Sequence, residues 1–264
     1  MSISAKEIKT RIRSMESAKQ ITKAMETVAA SKLGKVQSRL FAARPYFQTL
    51  RQTAEDIAAS GCLQSRPVNK SVYIVIFGDR GLAGGYNSNI LKTAQAAMEN
   101  KNAILFPIGQ KAAAFLNHPT EYNAERMTHN DCLTVAKALC EQYFAGEVDE
   151  IFLAYTEYVS VLSQLPRVIR ILPLPQPQKE IYDGAMIYEP DRETVFRVFL
   201  PEYVGGMLYC ALCESYAAEQ AARRMAMDSA ARNADEMIEN LRTQFNRNRQ
   251  AAITGQIIDI VAGL

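Results

Sequence analysis

From residue 202 to residue 264 the sequence has no proline and no persistent turn signal, and its apolar and small residues recur at alternating spacings of four and three. Val204, Leu208, Ala211, Ser215, Ala218, Ala222, Met225 and Ser229 form one seam. After a phase shift it resumes at Ala234, Ile238, Leu241, Phe245, Asn248 and Ala252, then at Ile253, Ile257, Ile260 and Leu264. That spacing keeps a stripe on one face of a helix. At about 1.5 Å of rise per residue the helix would span roughly 90 Å, about three times the diameter of a small domain. A compact globule cannot enclose it, so a partner rod is required.

The N-terminal block supplies one. Residues 3–57 place Ile8, Ile12, Met15, Ile21, Met25 and Val28, then Val36, Leu40, Ala43, Phe47, Leu50, Ala54 and Ile57, on a single helical seam. Pro45 interrupts it and is expected to kink or open the helix locally, because proline removes one backbone donor and clashes one turn back. The seam keeps phase across it, so one helix is expected. Rods at opposite ends of a chain, joined by a domain that returns the chain near its exit, pack antiparallel, and a period of 3.5 makes the pair a left-handed coiled coil. From Ala211 to Ala222 the seam is alanine and serine, which allows close axes and predicts a thin shaft with little core of its own, one that gains from enclosure.

Between the rods the pattern changes. Residues 72–77 (VYIVIF) read as a buried strand. A helix capped by Asn87 or Asn89 runs to about residue 100, a strand covers 103–108, and a helix covers 111–117. Asp131 caps a further helix to residue 144, and strands follow over 151–160 and 167–172. This alternation predicts a Rossmann-like α/β domain with a mainly parallel sheet, inserted between two paired helices. The expected divisions are an N-terminal coiled-coil helix over 1–60, the α/β domain over 70–175, a connecting segment over 176–200, and a C-terminal coiled-coil helix from Pro201 to the end. Within the connecting segment Glu189-Pro190-Asp191 is a good start for a short helix.

Composition excludes several classes. The 264 residues are 48% hydrophobic and 22% charged, an ordinary foldable balance. Nothing approaches eighteen consecutive apolar residues, so no membrane span is expected, and residues 1–13 lack the apolar core of a secretory signal. Five scattered cysteines argue against a disulfide framework. Cys210 and Cys213 have CxxC spacing but lie within a helix without a second pair or a nearby histidine, and read as buried thiols. The net charge of +2 hides an excess of basic residues in the first helix. Lys6, Lys9, Arg11, Arg13, Lys19, Lys23, Lys32, Lys35, Arg39 and Arg44 form a basic face open to three readings: solvation, nucleic acid, or an acidic protein partner.

The most conspicuous motif follows the first strand: Gly78-Asp79-Arg80-Gly81-Leu82-Ala83-Gly84-Gly85-Tyr86-Asn87. A glycine-rich turn from a buried strand into a helix is where doubly wound folds bind phosphate. Its glycines do not fall in the GxGxxG register and no Gly-Lys-Ser/Thr follows, so the favoured role is structural: Gly81, Gly84 and Gly85 for tight turning and packing, Asp79 and Arg80 to tie the loop down. His118 and His129 have no ligand partners at useful spacing, and no serine lies in a nucleophile-elbow motif. No catalytic residue, cofactor site or metal site is expected. A nucleotide-binding α/β enzyme and a coiled-coil nucleic-acid adaptor remain as alternatives.

Residues 19–33 (KQITKAMETVAASKL), 79–90 (DRGLAGGYNSNI) and 219–253 (EQAARRMAMDSAARNADEMIENLRTQFNRNRQAAI), with Tyr188-Glu189-Pro190, closely resemble the gamma subunits of F-type ATP synthases. The resemblance covers both rods and the first strand, loop and helix of the middle domain.

It implies a non-catalytic rotor shaft. In that family a single copy stands inside a hexamer of alpha and beta subunits and rests with epsilon on a ring of c subunits, so that membrane association is indirect and turning of the ring drives ATP synthesis or hydrolysis at the beta subunits. The resemblance places Met25 and Arg223 near acidic lever loops of the beta subunits. It places Arg249, Gln250 and Thr254 at contacts near the upper end of the shaft, and Tyr188 with Glu189 at the c ring and epsilon. A bacterial protein at the cytoplasmic face of the plasma membrane is the implied setting, without nucleic acid. The sequence departs from the family at Ala83, where cysteine is common, at Thr27, where methionine is common, and at Gly255-Gln256, where Gln-Glu is common.

Overall fold

A computed structural model describes residues 5–59, 67–99, 101–116, 120–174 and 188–263. The elements are α1 (Ala5–Ala59), β1 (Ser71–Ile76), α2 (Tyr86–Met98), β2 (Ala103–Ile108), α3 (Ala112–Leu116), α4 (His129–Phe144), β3 (Glu150–Tyr158), β4 (Gln164–Leu172) and α5 (Arg192–Ala262). Cys62 and His118 lie outside the described residues. The chain divides into two compact units, Met1–Ala30 with Arg223–Leu264 and Ser31–Ala222, each taking part of α1 and part of α5.

The larger unit is built on a sheet ordered β2-β1-β3-β4. β1 runs parallel to both β2 and β3, while β4 returns antiparallel beside β3. Every residue of β1 is buried, as a central strand covered on both faces requires. Its side chains alternate between two cores. Val72, Ile74 and Ile76 join Ala54 and Ile57 of α1, Cys132 to Tyr143 of α4, and Val204, Leu208 and Leu212 of α5. Tyr73, Val75 and Phe77 meet Ile90 and Ala94 of α2 and Ala112 of α3. The order of strands and helices agrees with expectation, and the sheet is mixed only at β4.

Two helix starts differ from expectation. α4 is capped by Thr128, whose hydroxyl accepts from the Asp131 amide while the Asp131 carboxylate accepts from the Thr128 amide. Asp131 is thus the third residue of a capping box and not the cap. α2 begins after Gly85 without a side-chain cap, because Asn87 is turned back to accept the Gly78 amide at 2.9 Å.

α5 begins at Arg192, ahead of the expected start at Pro201, and runs on without a break through that proline. The cause is local: the Asp191 carboxylate accepts the Thr194 amide at 2.9 Å and its hydroxyl at 2.8 Å, closing the first turn. The expected short helix and the terminal rod are one element. α1 likewise continues through Pro45. An eighteen-residue window of α5 reaches a mean hydropathy of 1.3, and half of it is buried inside the protein. From Phe196 to Leu212 the buried apolar residues of α5 belong to the core just described.

In the larger unit α5 is crowded from two sides. A β-carbon at Gly205 would stand 3.1 Å from the Leu133 Cα of α4, and one at Gly206 would stand 2.5 Å from Leu50 Cδ1 of α1. Adjacent glycines let α5 approach both helices at one level, which offsets the roughly 1 kcal/mol each costs within a helix. Farther along, Ala217 and Ala221 pack on Leu33 and Val36 of α1. Ala218 packs on Ala83 and Tyr86 of the glycine-rich loop, and Ser215 Oγ accepts the Thr156 amide of β3 at 3.1 Å. The run of small residues from Ala211 to Ala222 is therefore covered by the α/β layer and by α1, in place of the thin shaft expected.

In the smaller unit α1 and α5 lie antiparallel: Lys19 pairs with Asp235, and Glu16 accepts from Arg242 at 2.8 Å. Up to Ala29 the sheltered positions of α1 are Ile8, Ile12, Met15, Glu16, Lys19, Thr22, Met25, Glu26 and Ala29, with only Ile8 and Ala29 fully buried. Ile21 and Val28, expected in the seam, are instead 61% and 55% exposed. On α5 the buried positions are Arg223, Met227, Ala231, Ala234 and Ile238, whereas Met225 and Ser229 face outward. The buried stripe of α5 thus passes through Arg223 and Met227, one position beyond the expected Ala222 and two beyond the expected Met225.

Candidate functional site

The glycine-rich loop joins β1 to α2 and is held by Asp79. One carboxylate oxygen accepts the amides of Gln110 at 2.9 Å and Ala124 at 3.1 Å, and the other accepts that of Glu125 at 2.7 Å. A carboxylate with three backbone donors is committed to structure. Gly78 is buried, and a β-carbon there would meet the Glu219 carboxyl of α5 at 2.8 Å. Gly84 has a left-handed φ of 56° and Leu82 one of 62°, the region where glycine is favoured. Gly81 is exposed, and a β-carbon there would meet Lys111 Cε at an ordinary 3.8 Å, while Gly85 precedes α2 with an ordinary φ of −84°. Tight turning thus applies to Gly84 and close packing to Gly78, but neither to Gly81.

The loop is a plug seated on α5. Ala83 and Tyr86 cover Ala218 and Ala222. Burial, with Glu219 nearby, pushes the Tyr86 phenol well above its usual range, opposed by hydrogen bonds to Ser215 and Thr156. The carboxylates of Asp79 and Glu219 stand where a nucleotide's phosphates would need donors, which disfavours the nucleotide reading. Arg80 Nε reaches Glu125 Oε2 at 4.0 Å.

Cys132, Cys140 and Cys213 are held as thiols by burial. Burial pushes Cys132 and Cys140 up to about 12 and raises Cys213 as well. Cys210 and Cys213, expected as buried thiols, are only partly buried on α5. The His129 ring lies edge-on to Tyr209, with centroids 5.6 Å apart. Among the described residues no group of three potential ligands could hold a metal ion.

The remaining positions are dispersed. Met25 is half-buried on α1, while Arg223, 6% exposed, is an internal group of the coiled coil. Arg249, Gln250 and Thr254 are fully on the surface of α5. Tyr188 is half-buried against the main core, and Glu189 is exposed. Tyr188 and Glu189 belong to the larger unit and the other five to the smaller one, where Arg223 is internal and Arg249, Gln250 and Thr254 are exposed.

Among its exposed polar residues the smaller unit also presents large apolar side chains outward. Ile21 and Val28 on α1, with Met225 and Met237 on α5, are exposed between 37% and 61%. From residue 249 to residue 258 every side chain except Gly255 is exposed, and Ile253, Ile257, Ile258 and Ile260 lie between 49% and 67%. Basic residues are partly neutralised: Lys19 by Asp235, Lys23 by Glu26, and Lys32 by Glu125. A surface with apolar stripes and paired cations suits a protein partner better than a phosphate backbone.

A family model described as ATP synthase matches residues 4–264. The ATP synthase gamma chain of Alkaliphilus metalliredigens is 41% identical, the alignment covering 100% of this chain and 98% of the relative. That of Ruminococcus albus is 42% identical over 97% of this chain and 96% of the relative. Among solved structures, a chain of the Euglena gracilis mitochondrial ATP synthase (OSCP/F1/c-ring) superimposes with a TM-score of 0.70 at 18% identity, covering 98% of this chain and 94% of that one. A chain of the Tetrahymena thermophila central stalk and c ring gives 0.62 at 24% identity, covering 80% and 99%.

Proposed function

Since this chain belongs to the gamma-chain family of ATP synthases, we propose that it is the central-stalk rotor of an F-type, ion-translocating ATP synthase, non-catalytic in itself. One copy turns inside a hexamer of alpha and beta subunits and is driven through a c-subunit ring, with epsilon beside it, at the cytoplasmic face of a bacterial plasma membrane. Membrane association is indirect, through the ring.

The observation that carries this reading is the exposed apolar tip of α5. Ile253, Ile257, Ile258 and Ile260 stand 49–67% exposed on a helix whose upper end is bare. Large aliphatic side chains held outward in this density mark a surface completed by another protein. Many small dispersion contacts on such a tip would centre a shaft without tying it to one angular position. Arg249, Gln250 and Thr254, exposed at the base of the tip, supply the polar contacts that differ from one angle to the next. Ile21, Met25 and Val28 offer an outward stripe to the beta lever loops. Arg223, being buried, acts there through the coiled coil it braces. Tyr188 and Glu189, just ahead of α5, contact the ring and epsilon.

The test is co-expression with alpha and beta subunits of a bacterial relative. A hexamer with ATPase activity, formed only when this chain is present, supports the rotor reading. ATPase activity in the isolated chain, or failure to enter the complex, would sink it.

A further inference from the structure

In the larger unit, the contact of α1 with α5 beside the α/β layer is smooth. Leu33 and Val36 lie on Ala217 and Ala221, and alanine methyl groups interlock little, so a small slip or rotation of one helix on the other loses few contacts. Apolar burial alone does not set a register on such a face, and a polar group at one position is a well-attested way to do so.

Gln37 of α1 donates to the Tyr158 hydroxyl of β3 here, and a second polar group, Glu125, reaches α1 and α5 together. Glu125 lies in the segment between α3 and α4, and its Oε1 accepts from Lys32 Nζ and, at 2.9 Å, from the Tyr216 hydroxyl. Lys32 directly precedes Leu33 on α1, and Tyr216 directly precedes Ala217 on α5. The other oxygen, Oε2, faces Arg80 of the glycine-rich loop at 4.0 Å. The backbone beneath is fixed independently, since the amides of Ala124 and Glu125 both donate to Asp79. The Lys32 ammonium also stands 5.9 Å from the centre of the Tyr216 ring.

We propose that Glu125 is a positioning residue for coupling: one carboxylate, braced from below by Asp79, sets the register of α1 against α5 and fastens both to the α/β layer. Its role is to pass torque between that layer and the helix pair without slip. The proposal rests on the rotor reading for its consequence, though the lock itself can be examined in the isolated chain. It also gives Asp79 and Arg80 a purpose that phosphate binding does not, because one holds the backbone of Glu125 and the other faces its side chain.

The experiment compares wild type, Glu125→Gln and Lys32→Met, each in the full complex reconstituted into vesicles, measuring ATP hydrolysis and ATP-driven ion uptake. Glu125→Gln keeps the shape and an acceptor for Tyr216 but removes the charge. Hydrolysis should persist while ions moved per ATP fall, and Lys32→Met should move the ratio the same way by less. An unchanged ratio in Glu125→Gln overturns the proposal. Hydrogen exchange on the isolated chains provides a second reading. Amides 32–36, 122–126 and 216–221 should exchange about threefold faster in Glu125→Gln, the scale of one part-exposed charge pair, and unaltered exchange would also overturn the lock. If the wild-type complex moves no ions, the rotor reading fails while the exchange result still decides the lock.

Discussion

Gly205 of α5 approaches α4 so closely that a β-carbon there would lie 3.1 Å from the Leu133 Cα, a backbone atom that cannot rotate away. Its neighbour Gly206 faces only the Leu50 Cδ1 tip, which can. The two glycines should respond differently to the same change. Gly205→Ala is expected to destabilise the isolated chain by about 1–3 kcal/mol, the usual cost of overpacking. Gly206→Ala should cost less, and the gain in helix propensity offsets part of it. Urea unfolding of the two variants checks this, and equal midpoints would contradict it.

The Glu125–Lys32 pair predicts a stability contribution with two pH limits. The Lys32 ammonium, assisted by Tyr216, holds the Glu125 carboxyl below its usual value, and Glu125 in turn raises Lys32. A lowered carboxyl contributes above its unfolded pKa and loses that contribution as pH falls through the folded value. A raised ammonium contributes below its unfolded pKa and loses it as pH rises through the folded value. The difference in unfolding free energy between wild type and Glu125→Gln should therefore be flat between about pH 5 and pH 10 and shrink outside that window. Both side chains are about 30% exposed, so solvent screening limits its size to about 1 kcal/mol. A difference that does not vary with pH would show that the ion pair contributes nothing.

How far the sequence reaches is clearest along the helices. Val204, Leu208, Ala211, Ser215 and Ala218 are buried as their spacing predicts, because there each small or apolar residue is covered by this same chain. The prediction fails at Ile21, Val28 and Met225, which obey the same spacing and face outward. Lys19, Thr22 and Glu26 take sheltered positions on α1. A periodic pattern cannot distinguish an aliphatic side chain meant for the sister helix from one reserved for another protein. The strands were legible because their runs are short and branched. The caps are less so, since Asp131 serves the Thr128 cap from the third position of α4 and Asn87 turns back to the Gly78 amide. Asp79 accepts the Glu125 amide across 46 residues of sequence, a link that no local signal announces.

Arg249 and Gln250 are exposed on α5. Arg249→Ala or Gln250→Ala should leave the unfolding midpoint of the isolated chain nearly unchanged, as substitutions outside any internal contact usually do. In the assembled complex the same changes should lower the ion-to-ATP ratio or the yield of complex. Loss confined to thermal stability of the isolated chain would remove these residues from the proposed contact surface.

Deleting residues 260–264 asks whether the tip acts through one decisive contact or many weak ones. Ile260 is 67% exposed, so its loss removes little from the fold of the isolated chain. Ile253, Ile257 and Ile258 would remain to fill the surrounding sleeve, each through small dispersion contacts that are individually dispensable. The shortened chain should assemble and retain most of its coupling, measured as ions moved per ATP. A further cut that removes Ile257 and Ile258 should reduce assembly. Complete loss of the complex on the first deletion would show instead that the terminal residues hold a specific seat, and the picture of a bearing made of many interchangeable contacts would have to be abandoned.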